Sequence, residues 1–462
     1  MEFMQVTDAS YVLAESSDHP MHVGLLMLFE PPKGAGSEFV EALYEQIVAD
    51  HDLAPEFRKK PMTAMGGVVG PLAWSTDLDV DIRKHVRLMR IAEPAGVDEL
   101  LAAVSDWHGT LLTRERPLWG AYLVDVLADG RFALFLEVHR SLMDGVSAVQ
   151  LVQLVQRTLS KDPTDTTVRA PWHQIAARKP APAAPQAPQP TPDTSLGSLL
   201  RMGSKRLTGL AEMVPDSARV AGRALADRNL AVPYRAPKTM FNVPVGARRE
   251  FVTRSFTSSR LDVVRRFSRS DLDELVLAMT AGAVRNYLLD RNALPQTSLV
   301  AMVPVVKRTR DANADAKVET VFCQLGTTTK HPGDRLTAIK SSLATGRKMA
   351  SSVGKASSLV SSVAAMTPKM LAGVRTSAPP PFNLVVSHVT GPMERLYWNG
   401  ARLAALHPAS VLDDGLAVAI NATTLAGTLD FGIVGCPDAV PDLGQLAAYL
   451  ESALVELESF YS

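Results

Sequence analysis

The stretch Ala133-Leu134-Phe135-Leu136-Glu137-Val138-His139-Arg140-Ser141-Leu142-Met143-Asp144-Gly145-Val146 carries most of what this chain reveals about itself. Leu134, Leu136 and Val138 fall on one side of an alternating pattern and Phe135 and His139 on the other, which predicts a strand. Val146, Val149, Val152, Val155 and Leu159 then recur near helical spacing. A strand, a short loop with His139, Arg140 and Asp144, and Gly145 opening a helix form a layout that presents polar groups in a cleft.

Both sides of this stretch repeat the same mixture. Toward the N-terminus, helical periods run over 39–48 and 97–112, with strand-like runs at 23–29, 121–127 and 132–139. Toward the C-terminus, a helix is predicted over 271–289 and strands over 298–306, 384–389, 417–422 and 428–434. From Arg178 to Asp193 a Pro/Ala/Gln tract has neither the apolar pattern to pack nor the donors to pair, and reads as an extended linker. The expected organisation is therefore an N-terminal lobe over 1–177, a linker over 178–195 and a C-terminal lobe over 196–462. Each lobe is expected to be mixed α/β around its own sheet.

Composition narrows the function classes. The 462 residues hold 48 Lys plus Arg against 48 Asp plus Glu, and the zero balance argues against a nucleic-acid protein, which needs a basic excess to neutralise phosphates. Cys323 and Cys436 are too few for a disulfide framework and lack zinc spacing. The start, Met1 to Asp8, is acidic where an export signal is basic, and no apolar run reaches the roughly 18–20 residues of a membrane span. A cytoplasmic protein is expected. Two segments point to a lipid surface or to cofactor phosphates: a mildly basic amphipathic region over 196–230, and 335–393, which contains no Asp or Glu. No Gly-x-Ser-x-Gly elbow, Walker loop or Rossmann fingerprint is present.

The 133–146 stretch resembles the His-His-x-x-x-Asp-Gly signature of the bacterial wax ester synthase/diacylglycerol acyltransferase family. Further markers follow in the family's order: Pro20-Met21-His22-Val23-Gly24, Asp79-Val80-Asp81 with His85-Val86, and Arg116-Pro117-Leu118-Trp119. The second half adds Asn242-Val243-Pro244-Val245-Gly246, Pro304-Val305-Val306-Lys307-Arg308, Val389-Thr390-Gly391-Pro392 and Gly427-Thr428-Leu429-Asp430-Phe431-Gly432. The resemblance implies two chloramphenicol-acetyltransferase-like lobes with a tunnel between them. It implies fatty acyl-CoA as co-substrate with no bound cofactor or metal, and a diacylglycerol or long-chain alcohol as acceptor. A site peripheral to the inner membrane or to lipid droplets goes with those substrates. In the family the second signature His deprotonates the acceptor hydroxyl, the Asp (here Asp144) holds the loop, and the Gly (here Gly145) permits the turn.

The departures from that pattern fall on the chemistry. Arg140 stands at the second His, and an arginine stays protonated at neutral pH and accepts no proton. His139 is expected to face away from position 140, because adjacent strand residues point to opposite faces. Asp273-Glu274 replaces the family's Asn-Asp, and His388 replaces the Asn of its Asn-Val-Pro-Gly-Pro, so two amide donors are lost. His388 as a relocated base oriented by Asp273 is one reading; a histidine hydrogen-bonded in a loop is the plainer one. Three functions follow: an O-acyltransferase of triacylglycerol or wax ester synthesis with a weakened or rewired site, a non-catalytic member that binds acyl-CoA or lipid or partners an active paralogue, or acyl transfer to another acceptor.

Overall fold

A computed structural model describes residues 2–63, 72–92, 95–143, 147–174, 235–307, 317–352 and 379–461. Asp144, Gly145, the linker over 178–195, the basic region over 196–230 and the middle of the acid-free stretch lie outside the described residues. The first half supplies β1 (Glu2–Phe3), α1 (Val6–Ala14), β2 (His22–Glu30), α2 (Phe39–Ala49), β3 (Lys59–Thr63), β4 (Leu72–Thr76) and β5 (Val86–Met89). It continues with α3 (Val97–His108), β6 (Trp119–Val124), β7 (Phe132–His139) and α4 (Ser147–Thr158). The second half supplies β8 (Glu250–Thr257), α5 (Ser258–Ser268), α6 (Leu272–Asp290), β9 (Val300–Lys307), β10 (Lys317–Gln324) and α7 (Pro332–Ser352). Last come β11 (Leu384–Val389), β12 (Tyr397–Trp398), β13 (Ala401–Ala409), β14 (Val418–Leu425), β15 (Thr428–Gly435) and α8 (Leu443–Tyr461).

Two six-stranded sheets carry the lobes, in the orders β12-β13-β2-β7-β6-β5 and β10-β9-β11-β14-β15-β8. The expectation of one sheet per half needs a correction: β12 and β13 come from the second half yet complete the first lobe's sheet. β13 runs antiparallel to β2, with Leu406 opposite Met27 and Ala409 opposite Gly24. It also lies across β14 and β15, so it belongs to both lobes. Its sequence hid this, because Pro408 and a register shift between Leu403 and Ala405 interrupt the strand pattern.

β7 sits inside its sheet, between β2 and β6, and every residue of it is buried. The alternation places Leu134, Leu136 and Val138 in the first lobe's core, with Leu151, Val152 and Val155 of α4. Ala133 and Phe135, on the other face, join a core shared with the second lobe, including Phe251, Val418 and Phe431. His139 shares that second face. The signature strand therefore turns its polar end toward the junction of the lobes.

Candidate active site

At the end of β7 the backbone N–H of Arg140 donates to the Met21 carbonyl, and a single 3-10 turn covers Arg140–Leu142. Within that turn the Ser141 N–H approaches His139 Nδ1 at 3.2 Å, and Ser141 Oγ lies 2.6 Å from the same nitrogen. A backbone N–H only donates, so Nδ1 is the acceptor and the neutral ring carries its proton on Nε2. Nε2 lies 3.3 Å from Glu15 Oε1, near enough for charge attraction but poorly aligned as a hydrogen bond. Glu15 follows α1, whose residues pack on the 3-10 turn, and it also accepts from Arg114 at 3.1 Å. Burial works against its charge, yet His139, Arg114 and the Met21 N–H together hold its carboxyl below the usual range. The result is a buried chain from Ser141 through His139 to an ionised Glu15.

Arg140 points elsewhere. Its guanidinium lies over the Tyr11 ring, 4.4 Å from the centroid, and makes no ion pair with a described carboxylate. His139 and Arg140 thus diverge, as strand alternation predicts.

The second constellation is built at the N-terminus of α6. Asp271 caps that helix by accepting from Glu274 N–H, while Glu274 reaches back to the Asp271 N–H. Asp273, in the first turn, accepts from Arg347 at 2.9 Å and lies 2.7 Å from His388 Nδ1. Burial raises its carboxyl, and the hydrogen bond and charge of His388 followed by those of Arg347 outweigh this, leaving Asp273 below its usual range. His388 Nε2 is buried with no hydrogen-bond partner among the described residues. The structure therefore brings Asp273 and His388 together, though neither bonds to His139 or Arg140 among the described residues. Along β11, His388 shares the face of Leu384 and Val386 that packs on α6, whereas Val389 enters the first lobe's core. Its ring is turned to the helix layer of its own lobe.

Comparison with known families decides the identity of this framework. The model of the wax ester synthase/diacylglycerol acyltransferase catalytic domain matches residues 4–270, and that of the C-terminal domain of the same family matches 316–458. The chain belongs to the wax ester synthase/diacylglycerol acyltransferase family. It is 42% identical, over 99% of both chains, to a putative diacylglycerol O-acyltransferase of Mycobacterium bovis and to the probable diacylglycerol O-acyltransferase tgs2 of Mycobacterium tuberculosis. Its fold is similar to the solved wax ester synthase/diacylglycerol acyltransferase of Marinobacter aquaeolei, with a TM-score of 0.77, 28% identity and full coverage of both chains. The starter condensation domain of rhizomide synthetase, at a TM-score of 0.56 and 14% identity over 100% and 94% of the two chains, shares the two-lobed fold. Family members are acyltransferases of neutral-lipid synthesis.

In this member of the wax ester synthase/diacylglycerol acyltransferase family, a buried polar group backs the signature strand. His22 Nε2 donates to the His108 carbonyl at 3.0 Å, His108 Nε2 donates to the Ser410 carbonyl at 3.1 Å, and Tyr122 donates to Glu137 Oε1 at 3.3 Å. His22, His108 and Glu137 each bring a ligand atom within 4.8 Å of the others, the one such group among the described residues. Sequence reading missed it, because the three come from β2, α3 and β7. Burial pushes Glu137 well above its usual range and His22 well below, and it lowers His108 to about 4. The positive charge of Arg249 bears on both histidines. Burial thus favours the uncharged form of all three.

These shifts give stability a pH dependence with a definite sign. The folded protein retains a proton on Glu137 that the unfolded chain releases above 4.5, so stability falls as pH rises through and beyond that value. The histidines act oppositely: between 6.5 and about 4 the unfolded chain takes up a proton that folded His108 refuses, so stability falls as pH drops through that window. Glu137→Gln keeps the shape of the neutral side chain. It is expected to raise the melting temperature at pH 8, reflecting a gain in folding free energy of at most about 1.4 kcal/mol per pH unit above the carboxyl's ordinary value, with the gain shrinking toward pH 5. Equal melting shifts at both pH values would contradict a neutral Glu137.

Proposed function

We propose that the protein transfers a fatty acyl group from acyl-CoA to the hydroxyl of a diacylglycerol or long-chain alcohol, with His139 as the base that Arg140 is not. The observation that carries this reading is the unprotonated Nδ1 of His139, held on the lobe-facing side of β7 by the Ser141 N–H with Glu15 behind it. A hydroxyl presented to Nδ1 gives up its proton as its oxygen bonds to the thioester carbonyl carbon. The carbon–sulfur bond then breaks, and CoA leaves as the thiol with the proton from His139. Arg140, fixed in charge beside that turn, supplies positive potential for the carbonyl oxygen or for CoA phosphate and takes no proton.

His388 Nε2, without a hydrogen-bond partner among the described residues, favours a second reading, in which the Asp273–His388 pair is the base. Radiolabelled palmitoyl transfer to dioleoylglycerol and to hexadecanol separates the two. Wild-type turnover that persists in His388→Asn supports His139. Loss in His388→Asn with retention in His139→Ala moves the base to the second lobe. Turnover seen only in Arg140→His would make the wild type a non-catalytic member that binds acyl-CoA or lipid. Supplying dioleoylglycerol in anionic vesicles tests the lipid surface: a rate that falls with added salt is expected if the basic segments hold the enzyme there.

A further inference from the structure

We propose that His22, His108 and Glu137 form a site for a zinc-class divalent cation that clamps β2, α3 and β7 together behind the signature strand. This departs from the sequence expectation of no bound metal. The residue types suit such an ion, which takes imidazole nitrogen and carboxylate oxygen, whereas a single carboxylate is too few for Mg²⁺ or Ca²⁺. His22, His108 and Glu137 are 0%, 2% and 1% exposed, and each brings a ligand atom within 4.8 Å of the others. The His22 ring and the Glu137 carboxyl already approach to 3.5 Å. Donors around a tetrahedral zinc stand roughly 3.4 Å apart, so side-chain shifts on the order of 1 Å close the set. Three orphaned atoms point to a ligand. Carbonyl oxygens only accept, so the bonds from His22 Nε2 to the His108 carbonyl and from His108 Nε2 to the Ser410 carbonyl leave a lone pair on each Nδ1. Both Nδ1 atoms and Glu137 Oε2 are buried with no hydrogen-bond partner among the described residues.

The same bonds supply the outer support that a metal site needs. A carbonyl behind each imidazole fixes its tautomer and orientation, and the Tyr122 hydroxyl holds the other oxygen of Glu137. No lysine or arginine pairs with Glu137 among the described residues, so its carboxyl is available. The charge of Arg249 opposes a cation here, but its guanidinium is engaged with the carbonyls of Gly246, Arg248 and Asp18, and an ionised Glu137 counters it. Coordination replaces the proton of the Glu137 carboxyl and releases it to solvent, and a water completes the fourth position. His19, three residues from His22, is the more obvious partner by sequence, yet it bonds to Asp414 at 3.0 Å. The ion's work is structural. Its ligands come from three separate parts of the first half, and His108 extends the clamp to Ser410, just past β13. His139 is engaged by Ser141 and Glu15, so the site is distinct from the proposed base.

The test is the metal content of the full-length protein expressed with added Zn²⁺ or Co²⁺, because a site this buried fills as the lobe folds. Elemental mass spectrometry is expected to find one ion per chain, and the Co²⁺ protein to show the visible absorption of tetrahedral coordination. Glu137→Gln and His108→Gln should each lose the ion. Tyr122→Phe, which removes only the supporting hydroxyl, should weaken Co²⁺ binding against a competing chelator by about 10–100-fold. His51→Gln, at an exposed histidine, should bind as the wild type does. The gain in melting temperature expected of Glu137→Gln belongs to the metal-stripped protein; set against the zinc-loaded wild type, the same variant should melt lower. Should His108→Gln fail to fold, Glu137→Gln decides, since its amide keeps the packing. Wild-type protein with no bound ion, or a Glu137→Gln protein that retains it, overturns the site. Neither result bears on the proposed transfer, which is read from palmitoyl turnover.

Discussion

His139→Ala is expected to lower palmitoyl transfer by about 10²–10⁴-fold, the range that removal of a positioned base costs. Ser141 N–H and Oγ meet Nδ1, Glu15 meets Nε2, and Arg140, a permanent cation stacked on Tyr11, cannot take over as acceptor. Glu15→Gln removes the charge that faces the ring while nearly preserving its shape. It should therefore cost a large part of the same factor, with a smaller change in the apparent affinity for acyl-CoA. Measuring kcat and KM for both variants checks this. A His139→Ala enzyme that retains wild-type kcat would remove the signature histidine from the chemistry and leave the Asp273–His388 pair as the base.

The second large effect concerns the framework. Gly432 lies in β15 directly beneath β13, and a Cβ there would stand 2.1 Å from the Pro408 carbonyl oxygen and 3.0 Å from its carbon. Neither atom belongs to a flexible side chain, so Gly432→Ala forces two strands apart. It should destabilise by about 3 kcal/mol, the upper part of the overpacking range. Gly36→Ala and Gly444→Ala are matched controls, because nothing lies within 4 Å of the added carbon, and both should melt close to wild type. A Gly432→Ala protein with an unaltered urea midpoint would contradict the close approach of β13 to β15. Leu406 N–H, which donates to the buried Asp430 at 3.0 Å, and His407, bonded to the Phe431 carbonyl at 2.9 Å, fasten the same crossing.

Local pattern carried much of this architecture. The alternation over 132–139 matches β7 residue for residue, and 384–389 and 271–289 match β11 and α6 to within a residue. Asp273 and His388, singled out 115 positions apart because both replace amides, are in hydrogen-bond contact. Other features depend on tertiary contact alone. Nothing near Glu15 marks it as the partner of a histidine more than a hundred residues later, and the role of Ser141 emerges only once a 3-10 turn folds its N–H back onto the ring. β13 escaped notice for a related reason: its pairing partner lies in the other half of the chain, and a proline within a strand lowers the strand signal.

The crossing of β13 sets the order in which this protein can mature. On the ribosome, β2 emerges early and pairs with β7 about a hundred residues later, but its other edge faces nothing until residue 409 is made. Throughout that interval an almost wholly apolar strand has an unpaired row of backbone donors and acceptors, a template for pairing with another nascent copy. The first half released alone would keep that edge indefinitely. The last third of the chain thus acts as a built-in cover for the first, and the signature strand reaches its final surroundings only when synthesis is nearly complete.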